Sequence, residues 1–320
     1  MSSMLQLVRN ENMKIYKRSG TWVMIGLLIL TVFAGGLFNK YVSSTNDQQQ
    51  NWQVQLQGEN EHLRKQIEKI ESMPMAESGI KQIKQQIAIN EYRIQHDIPP
   101  VEDKTLWGFM TSAPSFTGIA ALFTIVIAAS IVASEFSWGT IKLLLIRPVS
   151  RSKILLSKFI ATLLFALFLL VFMFVSSFII GVILFGFTGV ELPYLAYSGG
   201  QVVEYNMVSY ILTLYGLKSI DLIMMVTFAF MISTVFRSSS LAIGLSLFLM
   251  FTGQQIVQLL SRYDWSKYIL FANTNLQQYM SGTPLVEGMT MTFSVIVLLV
   301  YFVIFTTISW TVFQKRDVAA

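Results

Sequence analysis

Residues Glu135 to Lys158 read EFSWGTIKLLLIRPVSRSKILLSK, and two apolar runs flank them, Phe109 to Ala133 before and Leu156 to Phe185 after. A helix needs about 20 apolar residues, rising about 1.5 Å each, to cross a hydrocarbon layer of roughly 30 Å. Both runs meet that length. The connecting stretch does not: its leucines and isoleucines are too few to span, and Pro148 should end any helix begun at Glu135. Ser150 is placed to cap the helix that follows. Lys142, Arg147, Arg151, Lys153 and Lys158 give the connection a basic character suited to an anionic membrane surface. A helix lying flat on that surface is the expectation for Glu135 to Arg147, either as an anchor or as a docking surface for a soluble partner.

Working outward, four more apolar runs appear at Thr21 to Phe38, Tyr210 to Phe236, Leu241 to Leu260 and Thr290 to Phe313. The fold class expected is an all-α integral membrane protein with six transmembrane helices. The composition agrees, with 53% of residues hydrophobic and only 13% charged. Residues 1–20 form a separate element, because Leu5, Val8, Met13 and Tyr16 alternate at helical spacing with Arg9, Glu11, Lys14, Lys17 and Arg18. That pattern predicts an interfacial helix, apolar side toward acyl chains and cations toward lipid headgroups. The basic leader, first apolar run and Ala34-Gly35-Gly36 also fit a cleaved signal peptide, which would leave five spans.

Between the first and second spans, residues 39–105 are polar. Leu56, Leu63, Ile67 and Ile70 recur at three- and four-residue spacing, as do Ile80, Ile83, Ile87 and Ile94, on either side of a break at Met73 to Gly79. Two amphipathic helices folded back as a coiled-coil hairpin outside the membrane are predicted. The hairpin serves either as a spacer or as a contact site for a ligand or partner. His62 and His96 both fall in it, offset along its length, without the three or four converging ligands a metal needs.

Charge sets the orientation. Short connections and chain ends on one side carry Arg9, Lys14, Lys17, Arg18, Lys142, Arg147, Arg151, Lys153, Lys158, Arg237, Lys315 and Arg316, against Glu11, Glu135 and Asp317 alone. The bias toward Lys and Arg makes both termini cytoplasmic and residues 39–105 extracellular, since long loops cross largely regardless of charge. It also accounts for the net charge of +5 without nucleic acid.

Little chemistry is available within the spans. There is no cysteine, no histidine in any span, no HExxH and no phosphate-cradling GxxxxGK[ST]. Lys218 and Asp221, one turn apart toward the outer end of the fourth span, read as a mutually satisfied ion pair. A chain so equipped is not expected to be an enzyme, nor to bind a metal or cofactor of its own. Energy for uphill transport must enter through another polypeptide.

The stretch from Glu135 resembles the loop after the second span in permeases of type 2 ABC transporters. There a membrane-proximal glutamate precedes a Gly-Thr-Ile and a Pro-Val-Ser-Arg element, here Glu135, Gly139-Thr140-Ile141 and Pro148-Val149-Ser150-Arg151. Asn10-Glu11 with Lys14, Phe236-Arg237-Ser238-Ser239-Ser240 and Phe313-Gln314-Lys315-Arg316-Asp317 are similar to that family in the same order; the large outer hairpin departs from it. The resemblance implies an exporter permease that pairs with a second copy or paralogue and docks ATP-binding subunits, which hold the ATP and Mg. It makes Glu135 to Ile146 a coupling helix, with Glu135, Trp138, Gly139, Thr140, Ile141, Leu144, Arg147, Pro148 and Arg151 the ATPase-coupling residues. Met4 to Arg18, with Arg9, Glu11, Lys14 and Arg18, borders the ATPase. Ser240 and Gly244, a small-xxx-small pair, allow close packing of a second copy. Arg262 to Glu287 corresponds to short re-entrant outer helices, interrupted at Asn273-Thr274-Asn275. The spans favour a hydrophobic or amphipathic cargo, first of all an antimicrobial peptide or antibiotic. The competing expectation is a membrane sensor or assembly scaffold that reads a ligand through its outer hairpin.

Overall fold

The computed structural model describes residues 4–41, 52–70, 76–140, 149–187, 192–198, 200–280, 284–286 and 288–315. Six of its helices are long and apolar enough to cross a membrane. A first helix, α1 (Met4–Lys17), precedes them and turns into α2 (Ser19–Tyr41). The turn is held by side chains: Thr21 Oγ1 donates to the Ile15 carbonyl at 2.6 Å and Trp22 Nε1 to that of Tyr16 at 2.9 Å. The second span is α5 (Leu106–Ser112), a 3-10 turn at Ala113–Phe116, and α6 (Thr117–Ser137). Pro114 breaks the α-helical ladder, because it lacks an amide proton and restricts the residue before it. The remaining spans are α7 (Arg151–Phe185), α8 (Met207–Phe236), α9 (Ser239–Leu260) and α11 (Met291–Lys315); α10 (Leu270–Asn273) is a short helix between the last two.

The bundle is built around α6 and α8. Their most apolar windows are 67% and 61% buried, against 17% for α11 and 22% for α9. Small residues explain the closeness of the pair: Ala120, Ala128, Ala129 and Ala133 of α6 are fully buried, which lets backbones approach without a gap. The Ser233 hydroxyl of α8 donates to the Ala129 carbonyl at 2.6 Å and accepts from the Ala133 amide at 3.1 Å, bridging one turn of α6. The less buried spans turn leucine, isoleucine, valine and phenylalanine outward, as Leu30, Val171, Phe248, Leu299 and Val303 do. Such faces suit lipid, where no water competes for apolar surface.

One end of the bundle gathers α1, the end of α6, the start of α7, the end of α8 and the end of α11. Phe136 meets Phe313 edge to face, Arg237 lies 4.6 Å over the Phe136 ring, and Arg151 donates to the Gln314 carbonyl. This is the basic face. At the opposite end stand α3 (Trp52–Ile70) and α4 (Ala76–His96). They run antiparallel, since Gln53 bonds Asp97, Arg64 bonds Glu91, and Asn60 pairs with Asn90 at 2.9 Å. Leu56 and Ile87 are buried between them, which the heptad-like spacing requires. Gly79, expected in the break, lies inside α4, and residues 71–75 are outside those described.

Nothing in the expectation of an all-helical chain covered β1 (Tyr194–Ser198) and β2 (Gln201–Tyr205), an antiparallel ribbon in which Tyr194 faces Tyr205. The helical pair rests against it through a hydrogen bond from Tyr92 to Glu204 at 3.1 Å. His62 bonds Gln66, and His96 stacks on Tyr92 with centroids 3.9 Å apart.

The interrupted segment near Asn273 has a defined cause. Asn273 Nδ2 donates to the carbonyls of Lys267 and Ile269, while its Oδ1 accepts from Ser294 of α11 at 2.6 Å. One fully buried amide therefore satisfies the irregular backbone, which an apolar environment would otherwise penalise. Gly253 of α9 leaves room for the Phe271 ring, with which a Cβ would collide.

Candidate functional site

The basic face holds four charged side chains from three elements in mutual contact. Lys158, on α7, has a side chain only 1% exposed. It sits about 10 Å along its helix from Arg151 at 1.5 Å per residue, too deep to carry a charge without partners. Its Nζ donates to Glu11 Oε2 of α1 and to Glu135 Oε1 of α6, both at 2.9 Å. Lys14 Nζ, half-exposed at the surface, donates to Glu11 Oε1 at 2.8 Å and to Glu135 Oε1 at 3.2 Å. Two cations and two carboxylates alternate in a closed, neutral ring. Charge-assisted bonds of this kind are roughly twice as strong as neutral ones, and the ring compensates the desolvation of its buried members.

Local sequence explains how each member arrives. Glu11 and Lys14 are three apart and share a face of α1. Ile15, 2% exposed, lies beside them, and the flank next to it presents Tyr16, whose ring packs edge-on against Phe165 and Phe168 of α7. Glu135 is in the last turn of α6. Trp138 closes that helix and Gly139, at φ +71°, leaves it in the left-handed conformation that glycine adopts at little cost. The expected helix over Glu135 to Arg147 therefore does not begin at Glu135, which belongs to the end of the second span instead. Thr140, just past the glycine, donates from Oγ1 to Glu135 Oε2. Thr140, at the start of the connection between the two spans, is in this way fastened to the ring.

On Lys14, burial alone would lower the pKa; the bonds and charges of Glu11 and Glu135 outweigh it and raise the ammonium above its ordinary value of 10.5. A small cavity of about 10 Å³ touches all four charged residues, and a larger one of about 220 Å³ opens beside Glu11 and Lys14, bordered by Leu7, Val149 and Ile154.

The residues expected to couple to an ATPase are distributed as follows. Trp138 is 70% exposed on the basic face. Arg151 begins α7, where Ser150 occupies the cap position without a side-chain capping bond. Ile141, Leu144, Arg147 and Pro148 lie outside the described residues. On α1, Arg9 points outward, Arg18 donates to Ser130 of α6 at 3.4 Å, and Glu11 faces into the bundle rather than toward headgroups. That inward turn follows from Lys158, which Glu135 alone would leave with one counter-charge. Ser240 and Gly244 are exposed on one face of α9, and a Cβ on Gly244 would meet nothing within 4 Å.

At the opposite end, the expected ion pair of Lys218 with Asp221 does not close to salt-bridge distance. Lys218 lines a cavity, while Asp221 also faces Thr274.

The charged ring joins residues far apart in sequence, Lys158 lying 147 positions from Glu11. Its one sequence signal was a lysine just inside an apolar run, the kind of membrane-depth charge that needs a partner.

Comparison with known proteins adds the following. Residues 80–319 match the family model described as "Protein of unknown function (DUF2705)". The chain is 47% identical over 320 residues to "Uncharacterized protein YhcI" of Bacillus subtilis (strain 168), covering 99% of this chain and 100% of that one. It is 34% identical over 219 residues to "Uncharacterized membrane protein YdbK" of the same organism, covering 68% of this chain and 85% of the other.

Proposed function

The chain belongs to the DUF2705 family, and from that premise we propose that it is the permease subunit of an ATP-driven exporter. It is a multi-pass membrane protein. In the proposed arrangement the basic face is cytoplasmic, because its short connections and chain ends concentrate lysine and arginine, and α3 and α4 project outside the cell membrane. A separate ATP-binding subunit, carrying ATP and Mg, docks against the basic face, and a second permease copy packs along exposed spans such as α9, at Ser240 and Gly244. The cargo is hydrophobic or amphipathic, first of all an antimicrobial peptide or antibiotic.

One observation carries this reading: the ring of Glu11, Lys14, Glu135 and Lys158, closed around a buried Lys158, ties α1, the mouth of the 138–150 connection and α7 into one unit. Movement imposed on the connection by a partner reaches α6 and α7 through rigid, charge-paired contacts instead of dissipating in a loop. The resemblance of the segment from Glu135 to the coupling region of type 2 ABC permeases gives that movement a source.

The test is co-expression with candidate ATP-binding subunits from the same genome, beginning with any encoded in a neighbouring reading frame, followed by purification and reconstitution. One copurifies with the chain, the complex hydrolyses ATP, and Glu135→Ala or Leu144→Pro leaves insertion intact while export is lost. Copurification of none of them, or full export by both variants, refutes the proposal and favours a sensor or scaffold.

A further inference from the structure

A cavity of about 610 Å³ opens on the face opposite the charged ring, between the 3-10 turn after α5, the first half of α8, the end of α9 and the 271–285 segment. The volume falls in the roughly 300–1,000 Å³ range of ligand pockets. Its lining has an unusual composition for a site between membrane spans. Among the described residues Lys218 is the one charged side chain that lines it, and Gln254, Gln255, Gln258, Asn275 and Gln277 add carboxamides to the lining. The floor is apolar, from Leu214, Phe271 and Met280.

Two features indicate unmet bonding capacity. Asn275 Oδ1 is buried without a hydrogen-bond partner, and such an orphan is costly unless something occupies it. By contrast Gln278, also in the wall, is spent: its Nε2 donates to the Ala272 carbonyl and its Oε1 accepts from the Leu285 amide. Lys218, eleven residues along α8 from Met207, feels the charge of Asp221 one turn on, but has no carboxylate within salt-bridge distance among the described residues, and Asp221 is not part of the lining.

We infer that this cavity binds the C-terminal end of a short peptide, with the terminal carboxylate on Lys218, backbone amides on the Gln and Asn side chains, and apolar side chains on the floor. Each carboxamide offers a donor and an acceptor, as a peptide group does, so the ring of amides matches an extended backbone. A phosphate group is a poorer match, since it accepts only and is normally held by several cations or an arginine fork. A single ammonium matches a single carboxylate. The physiological meaning rests on the export reading, for which this would be an outward-facing cargo site.

Binding is measured on the purified full chain in phosphatidylcholine nanodiscs, without ATP or any partner, so that failure here and failure of the coupling experiment are separate results. The probe is a dansylated tetrapeptide of alternating leucine and glutamine, with either a free C-terminal carboxylate or a C-terminal amide, followed by fluorescence anisotropy. The free acid binds at least tenfold tighter than the amide. Lys218→Met removes that preference, Lys218→Arg retains it, and Asn275→Leu weakens both peptides severalfold. Gln258→Glu, an exposed position that does not threaten folding, weakens the acid and spares the amide. Equal binding of acid and amide overturns the inference, as does a preference that survives Gln258→Glu and Lys218→Met. Displacement of the bound acid by phosphatidylglycerol added to the nanodiscs assigns the cavity to lipid headgroups instead, and also overturns it.

Discussion

Replacing Lys158 by methionine keeps the length and apolar character of the side chain while deleting its charge. In the native chain that ammonium is 1% exposed and donates to two carboxylates at 2.9 Å. Without it, Glu11 and Glu135 share only Lys14, whose side chain is 48% exposed and therefore screened by solvent. Removing one partner from a buried ion pair destabilises by about 3–5 kcal/mol, mostly because the remaining charge is left uncompensated. Lys14 offsets part of that, so about 3 kcal/mol is expected, near two orders of magnitude in the unfolding equilibrium. Adding Glu11→Gln and Glu135→Gln to Lys158→Met removes the stranded charges and should recover more than half of the loss. The assay is SDS-driven unfolding of the purified chain in mixed micelles, followed by far-UV circular dichroism, with all variants in a double-mutant cycle. A coupling energy below about 0.5 kcal/mol between positions 135 and 158 would show the ring to be energetically idle, and would remove the physical basis for transmission from the connection to α7.

Three further outcomes follow from the structure. Because Lys14 titrates above its ordinary 10.5 in the folded chain, its contribution is fully present below the unfolded value near 10.4 and is lost as pH rises through the folded one; Lys14→Met should flatten the alkaline decline in thermal stability, and an unchanged decline contradicts the assignment. In the outer helical pair, Asn60→Leu strands the Nδ2 donor of Asn90, whose Oδ1 keeps Gln86, and should destabilise α3 and α4 by about 1–3 kcal/mol, whereas Asn60→Leu with Asn90→Leu should be near neutral; hydrogen exchange across residues 52–96 distinguishes the two, and equal protection in single and double variants counts against a paired buried amide. Deleting residues 53–95 should leave the six spans inserted with the Lys158 ring intact, since the pair closes at its base through Gln53 and Asp97 and its main contacts beyond itself are with the β ribbon, Tyr92 on Glu204 among them; loss of insertion would show that the spans depend on it.

Much of the architecture was legible because lipid imposes a length rule on helices. The run Leu241 to Leu260 became α9, Ser239–Leu260, and Leu156 to Phe185 became the apolar part of α7. The helix runs past its apolar core where polar residues extend it: α7 takes in Arg151 to Leu155 after Ser150, so Lys158 lies well inside the helix. The ribbon at Tyr194 to Tyr205 carries a hairpin signal in sequence, Gly199-Gly200 between short β-branched and aromatic runs, but it lies between two spans, where the length rule for membrane helices has nothing to say. Gly139 carried a turn signal that the helical reading of Glu135 to Arg147 overrode. The ring itself was legible only as separate charges. Hydropathy marks Lys158 and Glu135 as isolated exceptions, and neither periodicity nor spacing says that α1 folds back to supply Glu11. That pairing is set by tertiary packing of Ile15 and Tyr16 against the bundle, which one-dimensional patterns do not encode.

The central claim is that the basic face delivers a partner's motion to the spans through Glu135 and Lys158. The chain has no cysteine, so Trp138→Cys introduces a single reactive thiol at a position 70% exposed and three residues from Glu135. A short bifunctional crosslinker applied to membranes co-expressing the ATP-binding subunit that copurifies with the chain should join the two through that thiol, with a yield that changes on adding ATP and a non-hydrolysable analogue. In the Glu135→Ala background the crosslink should persist but lose its nucleotide dependence. No crosslink to an ATP-binding subunit in any nucleotide state, with the thiol still labelled by a small maleimide, would contradict the account.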